Sequence, residues 1–299
     1  MAMKKVMLLG ADGTLGPSML NALLAHDFDV TVLKREGSRS LDNYPPNVKV
    51  ARVHDDMPIH SLTTALKGQD ALIATIKGSQ TEVQKRLADA CVASGVHRFI
   101  PADFGSCDSS SPLTQELVPL YKHKAELREY LTQLATSHES FSWTSLVCGH
   151  FFDWDPAFIH LWPQEHRADI LDDGEKKFSI STLSRVGEAT ARILQHADET
   201  ANQMLYVQSF CVTQNEIISA FEKATNSKWH ISSLEAEKYK VEQKAKADAG
   251  DKDAVEHLVW YLGTVDADWT RNEGFAMQML GLQDEDLHEV VSKMVKQSS

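Results

Sequence analysis

Over the first 150 residues, short apolar runs alternate with stretches of helical period. Val6-Met7-Leu8-Leu9 is apolar throughout, as in a strand covered on both faces. The segment 17–26 places Met19, Leu20, Leu23 and Leu24 on one helical stripe. Further strands are predicted over 30–33, 48–53, 71–76, 98–100 and 143–147, and a short helix over 62–66. A helix over 81–94 turns Val83, Leu87, Ala90 and Cys91 inward, and a longer one runs from about 119 to 135. Strands alternating with helices imply a parallel sheet covered on both sides. The expected fold is therefore α/β: a Rossmann-like doubly wound sheet over 1–152. The rest, 153–299, forms a smaller C-terminal α/β substrate domain, with some segments returning to the core. The second half is less regular. It holds an aromatic-rich stretch over 151–162, a turn at Asp172-Asp173-Gly174, and helices over 186–196, 214–225 and 235–246. Thr213 with Glu216 three residues later predicts a capping box, and the charge of 235–246 predicts a solvated helix.

The first strand runs into Gly10-Ala11-Asp12-Gly13-Thr14-Leu15-Gly16, and a helix follows at once. That context gives the G-x-x-G-x-x-G spacing its meaning: a tight turn, a backbone open to a diphosphate, and a helix N-terminus aimed at it. Lys34 and Arg35 stand at the end of the second strand. An acidic residue there would bind the ribose hydroxyls of NAD, whereas an arginine suits the 2′-phosphate of NADP. Arg39 and Ser38 lie just beyond as further phosphate contacts, although Glu36 opposes them.

The long helix carries Leu120, Leu127, Leu131 and Leu134 on one face, and Lys124 falls on that face while Glu126 and Glu129 do not. An ammonium group in line with leucines needs a partner or a purpose. Either it snorkels from the edge of the stripe, or it reaches into the cofactor cleft as a ribose contact or general acid/base. Arg128 lies one turn on. Tyr121 is not assigned a catalytic role, because the residue four positions later is Ala125 and not a lysine.

Composition narrows the partners. The 299 residues carry a net charge of -12, which opposes binding to nucleic acid or to anionic membranes. The N-terminal apolar run is too short for a signal sequence or membrane span, and the four cysteines form no ligand cluster. A cytoplasmic protein without metal, monomeric or homodimeric, is the expectation.

These marks converge. The chain resembles the NmrA-like, isoflavone-reductase-like group of atypical short-chain dehydrogenases, in a fungal form. The resemblance rests on the Gly10–Gly16 loop, Arg35, Ile76-Lys77-Gly78-Ser79-Gln80, and the stretch from Val96 through Arg98-Phe99-Ile100-Pro101-Ala102-Asp103-Phe104-Gly105. It also rests on Lys124-Ala125-Glu126-Leu127-Arg128, Gly149-His150-Phe151-Phe152, and the segment from Gly174 to Gly187. The resemblance implies NADP(H) as cofactor, Lys124 as the catalytic lysine and Arg128 as a cofactor-side contact. It places Thr75, Gly78 and Gln80 along the diphosphate and nicotinamide half, and Ala102, Asp103 and Phe104 near the nicotinamide. His150 joins the cofactor set and Asp103 is a candidate acid/base. Ala102-Asp103 replaces the Ser-Glu of many plant members, and Arg185 stands where an aspartate is common.

Phe104, Phe151, Phe152, Trp154 and Phe158 are candidate walls for a flat, hydrophobic or aromatic substrate, although core packing is the simpler account of most such rings. Three functions remain open. One is an NADPH-dependent reductase of an aromatic or alkaloid-like small molecule of secondary metabolism. The second is a non-redox enzyme that retains the cofactor for cyclisation, condensation or isomerisation. The third is a redox-sensing regulator without turnover.

Overall fold

The computed structural model describes residues 3–298. Along the chain run β1 (Lys5–Leu9), α1 (Gly16–Ala25), β2 (Asp29–Arg35), β3 (Lys49–Val53), α2 (Ile59–Leu66), β4 (Ala71–Ala74), α3 (Thr81–Ser94) and β5 (Arg98–Ile100). Then come α4 (Pro112–Leu117), α5 (Pro119–Ser137), β6 (Ser142–Val147), β7 (His150–Phe151), β8 (Leu161–Trp162), β9 (Arg167–Leu171), β10 (Phe178–Ser181) and α6 (Leu183–Gln195). The chain closes with β11 (Gln203–Tyr206), β12 (Phe210–Val212), α7 (Gln214–Thr225), β13 (His230–Leu234), α8 (Ala236–Asp248), α9 (Lys252–Val265) and α10 (Leu287–Ser298).

Seven strands form one sheet in the order β11-β6-β5-β4-β1-β2-β3. β1 pairs in parallel with β2, Leu9 opposite Leu33, and with β4, Leu9 opposite Ala74. Strand order therefore reverses at β1 and β4, the switch point where ligands of such sheets bind beyond the strand C-termini. Alternation sorts the apolar runs between the two faces. Met7, Leu9, Leu72 and Ala74 join a core with Leu62, Leu66, Leu87, Cys91, Leu127 and Leu131 from α2, α3 and α5. Val6, Leu8, Ala71 and Ile73 are equally buried but turn the other way. α1 and α6 meet so closely that a Cβ at Gly187 would lie 2.6 Å from the Ser18 carbonyl oxygen.

The chain divides into two compact units, each assembled from three segments. The first takes the chain through Phe104, then Lys122–Leu146 and Ser184–Leu205; the second takes Gly105–Tyr121, Val147–Leu183 and the chain from Tyr206. The chain thus leaves the first unit after Leu146, ahead of the boundary expected at 152, and Ser184–Leu205 is a returning segment. The excursion over Gly105–Tyr121 had no signature in the sequence pattern. Within the first unit, buried Arg98 joins the strands to the returning segment. It donates to Ser142 Oγ (2.9 Å), Thr144 Oγ1 (2.8 Å), Thr200 Oγ1 (2.9 Å) and the Ala197 carbonyl.

The second unit contains two three-stranded sheets, β12-β10-β7 and β13-β9-β8. β10 is antiparallel to β12 and parallel to β7, while β9 is antiparallel to β8 and parallel to β13. α7 begins with the expected capping box: Thr213 Oγ1 accepts from Glu216 N (3.1 Å) and Thr213 N donates to Glu216 Oε2 (2.8 Å). No helix among the described residues is long and apolar enough to cross a membrane.

Candidate active site

In the first unit, the C-terminal ends of β1, β2 and β4 border a cleft of about 360 Å³, lined by Gly10, Asp12, Gly13, Lys34, Arg35, Ser38, Met57, Ile76 and Gln80 among others. Its floor is the glycine loop. Gly10 adopts φ +95°, and a Cβ there would lie 2.6 Å from the Thr75 carbonyl oxygen, so only glycine fits. Thr75 fixes that approach by donating to the Leu9 carbonyl from both its backbone N (2.8 Å) and its Oγ1 (3.0 Å). Gly13 and Thr14 are exposed while Leu15 is buried. α1 starts at Gly16 with no side-chain hydrogen bond at its N-cap and no acidic residue in its first turn. Its positive end therefore faces the cleft unneutralised, as anion binding at a helix N-terminus requires.

At the β2 end, Lys34 is buried although it was expected to grip a phosphate. Its ammonium pairs with Asp42 (2.9 Å) and Asp12 (3.1 Å) and donates to the Ser40 carbonyl (2.9 Å). Asp12 in turn accepts from Ser40 Oγ (2.5 Å) and Tyr44 Oη (2.6 Å). Lys34 thus ties the segment 40–44 to the glycine loop. Burial alone would lower the Lys34 pKa, but hydrogen bonds to Asp42, Asp12 and Tyr44 outweigh it and raise it above the ordinary value. Arg35 and Arg39 are exposed, and Ser38 lies between them at the cleft.

The loops after β4 and β5 hold a second group. Lys124 and Arg128, one turn apart on α5, are both buried, and both converge on Asp103 just beyond β5. Lys124 Nζ donates to the Asp103 carbonyl (2.5 Å) and lies 3.3 Å from Oδ1; Arg128 Nη1 donates to Oδ2 (2.9 Å). Asp103 Oδ1 is buried and accepts no hydrogen bond of good geometry. Phe104 is partly exposed in a left-handed conformation, φ +36°. Such a conformation is costly for an aromatic residue and is held by its surroundings. Gly78 leaves room for the lysine: a Cβ there would lie 3.1 Å from Lys124 Cε and 3.2 Å from the Ala102 carbonyl oxygen.

The structure thus brings together in one unit Gly10, Asp12, Gly13, Thr14, Leu15, Gly16, Lys34, Arg35, Arg39, Thr75, Gly78, Gln80, Ala102, Asp103, Phe104, Lys124 and Arg128. It does not place His150 there. His150 belongs to the second unit, buried where a Cβ at Gly263 of α9 would overlap its ring, with Phe158 edge-on at 5.6 Å. Burial pushes its pKa down to about 4. Phe152, expected against substrate, is fully buried in the same unit between Phe210 (5.1 Å) and Phe221 (6.3 Å), so it is a core ring. Phe151 and Phe158 are half-buried, and Trp154 is exposed and tilted against Phe158 at 5.7 Å. The pattern of apolar positions gave no sign of Tyr44, which bonds Asp12, or of Met57 on the cleft wall, and Gln84 behind the β4 and β5 loops was passed over as well. For Gln84 a signal existed: it stands three residues before Leu87 on the inward face of its helix.

The sheet order and the glycine loop define the Rossmann-like class. The NmrA-like family model matches residues 2–267, and the chain belongs to that family. It is 31% identical over 297 residues to Oxidoreductase aprR of Aspergillus flavus, covering 98% of this chain and 99% of that one. Its fold matches the leucoanthocyanidin reductase–NADPH complex from Vitis vinifera, with TM-score 0.79, 18% identity, and 98% and 99% of the two chains covered. It matches the complex of AtPrR2 with NADP+ and (+)pinoresinol with TM-score 0.76, 18% identity and the same coverage.

Proposed function

We propose that this chain is a cytoplasmic NADP(H)-dependent oxidoreductase that acts on a hydrophobic, aromatic small molecule of secondary metabolism. The observation that carries the reading is the buried Lys124 ammonium, oriented by Asp103 beside Gly78 in the same unit as the glycine cleft. The residues present fit the dinucleotide. The uncapped start of α1 suits a diphosphate, and exposed Arg35 and Arg39 with Ser38 suit a 2′-phosphate. The relative named as an oxidoreductase and the neighbours solved with NADPH and NADP+ support the same cofactor class. Among the described residues no two cysteines are joined in a disulfide, as suits a reducing compartment.

When bound, the nicotinamide supplies hydride chemistry. The chain's own part is electrostatic: Lys124 offers an N–H, and if needed a proton, to an oxygen or nitrogen on which negative charge develops. Asp103 and Arg128 hold the lysine. Asp103 was a candidate acid/base, yet its carboxylate lies within 3.3 Å of two cations, so its role here is to anchor. This pairing weighs against a cofactor-retaining, non-redox reading in which carboxylates such as Asp103 do acid/base work. On the substrate side, Phe151, Trp154 and Phe158 are candidate walls whose aromatic surfaces stay partly open in the second unit.

Calorimetry with NADPH and NADH, followed by NADPH absorbance with aromatic enones, imines and benzylic ethers, tests the proposal. NADPH binds more tightly than NADH, and in Lys124→Ala kcat falls by about a hundred- to ten-thousand-fold. Affinity for neither dinucleotide, or an unchanged kcat in Lys124→Ala, overturns it. Product formed with NADP+ and no absorbance change favours the non-redox reading instead.

A further inference from the structure

The fourth residue of α3 is Gln84, and its side chain is fully buried. A buried amide is costly unless its donor and acceptor are both engaged. Gln84 Oε1 accepts from the backbone N of Ala102 at 2.7 Å, and Nε2 donates to the Gly78 carbonyl at a long 3.4 Å. One amide therefore ties the loop after β4 to the loop after β5. These loops are the two walls of the slot in which Lys124 lies, since Gly78 faces both Lys124 Cε and the Ala102 carbonyl. The residue after Ala102 is Asp103, whose carbonyl and carboxylate hold the lysine.

We propose that Gln84 is a positioning residue: its amide, bridging Gly78 and Ala102, sets the slot that places the Lys124 ammonium at the nicotinamide end of the cleft. The inference rests on the NADP(H) reading above. Gln84 lies under the β4 and β5 loops, whereas the residues assigned to the 2′-phosphate stand after β2. Its loss should therefore disturb one end of the cofactor and spare the other. Gln84→Met keeps the length of the side chain but leaves the Ala102 N–H buried without an acceptor. Gln84→Asn keeps an amide that is one methylene too short to reach both loops.

Two ligands separate the ends: NADPH spans the cleft, and adenosine 2′,5′-bisphosphate probes the adenosine end alone. Titration calorimetry of the full chain, with nicotinamide emission recorded in parallel, is expected to show the bisphosphate bound by wild type and Gln84→Met alike. NADPH affinity drops about tenfold in the variant, about 1.4 kcal/mol of lost fit at the nicotinamide end. The emission change that accompanies NADPH binding to wild type is lost. Should Gln84→Met fail to fold, Gln84→Asn is held to the same two-ligand criterion. Unchanged NADPH affinity and emission overturn the proposal, as does an equal weakening of both ligands, which marks a purely structural role. A wild type that binds neither ligand overturns the dinucleotide reading, and this proposal with it.

Discussion

Asp103 serves two cations at once, and that fixes what its removal does. A buried ion pair adds little net stability as a pair, but deleting one partner strands the other charge away from water. Asp103→Asn takes the carboxylate from two buried cations at once, Lys124 and Arg128. The variant is expected to lose about 3 to 5 kcal/mol of unfolding free energy, read from urea denaturation. A loss under about 1 kcal/mol, the size of a surface pair, would show that water reaches the cluster. Lys124 was legible in the sequence because a charge in register with Leu127 and Leu131 breaks a periodic pattern. Gln84 breaks the pattern of its own helix too, but near a helix start a glutamine reads as a solvent-facing residue, and its partner is a backbone N–H eighteen residues away. Lys34 shows the converse. Its place after the second strand suggested phosphate, while the carboxylates that engage it come from loops whose geometry has no period.

The elements that were legible are those buried on one clear face. α3, β5 and α7 match their expected spans to the residue, and α7 has its expected cap. The two-residue strands β7 and β8 are too short for any alternation, and their pairing depends on distant partners. One such joint predicts a pH effect. His160, in a left-handed conformation just before β8, bonds Asp169 of β9 through Nδ1 (3.1 Å) and His257 of α9 through Nε2 (3.0 Å). Tyr239 of α8 approaches Nε2 at 3.4 Å, the ring stacks on Trp260 at 3.6 Å, and Arg167 stands 3.6 Å from Asp169. Burial foremost, with the His257 and Arg167 charges, lowers its pKa from 6.5 to about 4 against the pull of Asp169. Between those values the unfolded chain binds a proton that the native one refuses, so stability is full above pH 6.5 and declines as pH falls toward 4. His150 is shifted in the same direction. Urea midpoints measured from pH 7 to pH 4 are expected to fall, and to fall less steeply in His160→Asn. Equal slopes in the two proteins would show that His160 does not carry the effect.

At the scale of the whole molecule, the interleaving of the two units is what the sequence conceals most. Each unit takes three separate segments, and the chain leaves the first unit at Gly105 with no linker composition to mark it. The boundary expected at 152 would suit a chain whose halves fold separately. The structure gives the first unit two elements from beyond that point, α6 and β11. β11 covers the edge of β6, and the loop between α6 and β11 supplies the Ala197 carbonyl and Thr200 hydroxyl to buried Arg98. A fragment of residues 1–152 therefore exposes a strand edge and leaves a buried guanidinium short of acceptors, two defects with no local remedy. It also exposes the surface of α1 against which Gly187 packs. Such a fragment is expected to show no cooperative thermal transition by circular dichroism and no binding of NADPH, while the full chain shows both. A cooperative melt of the fragment would mean that the seven-stranded sheet tolerates the loss of its edge and that the returning segment is dispensable. The interleaving would then be a matter of connectivity alone and not of stability.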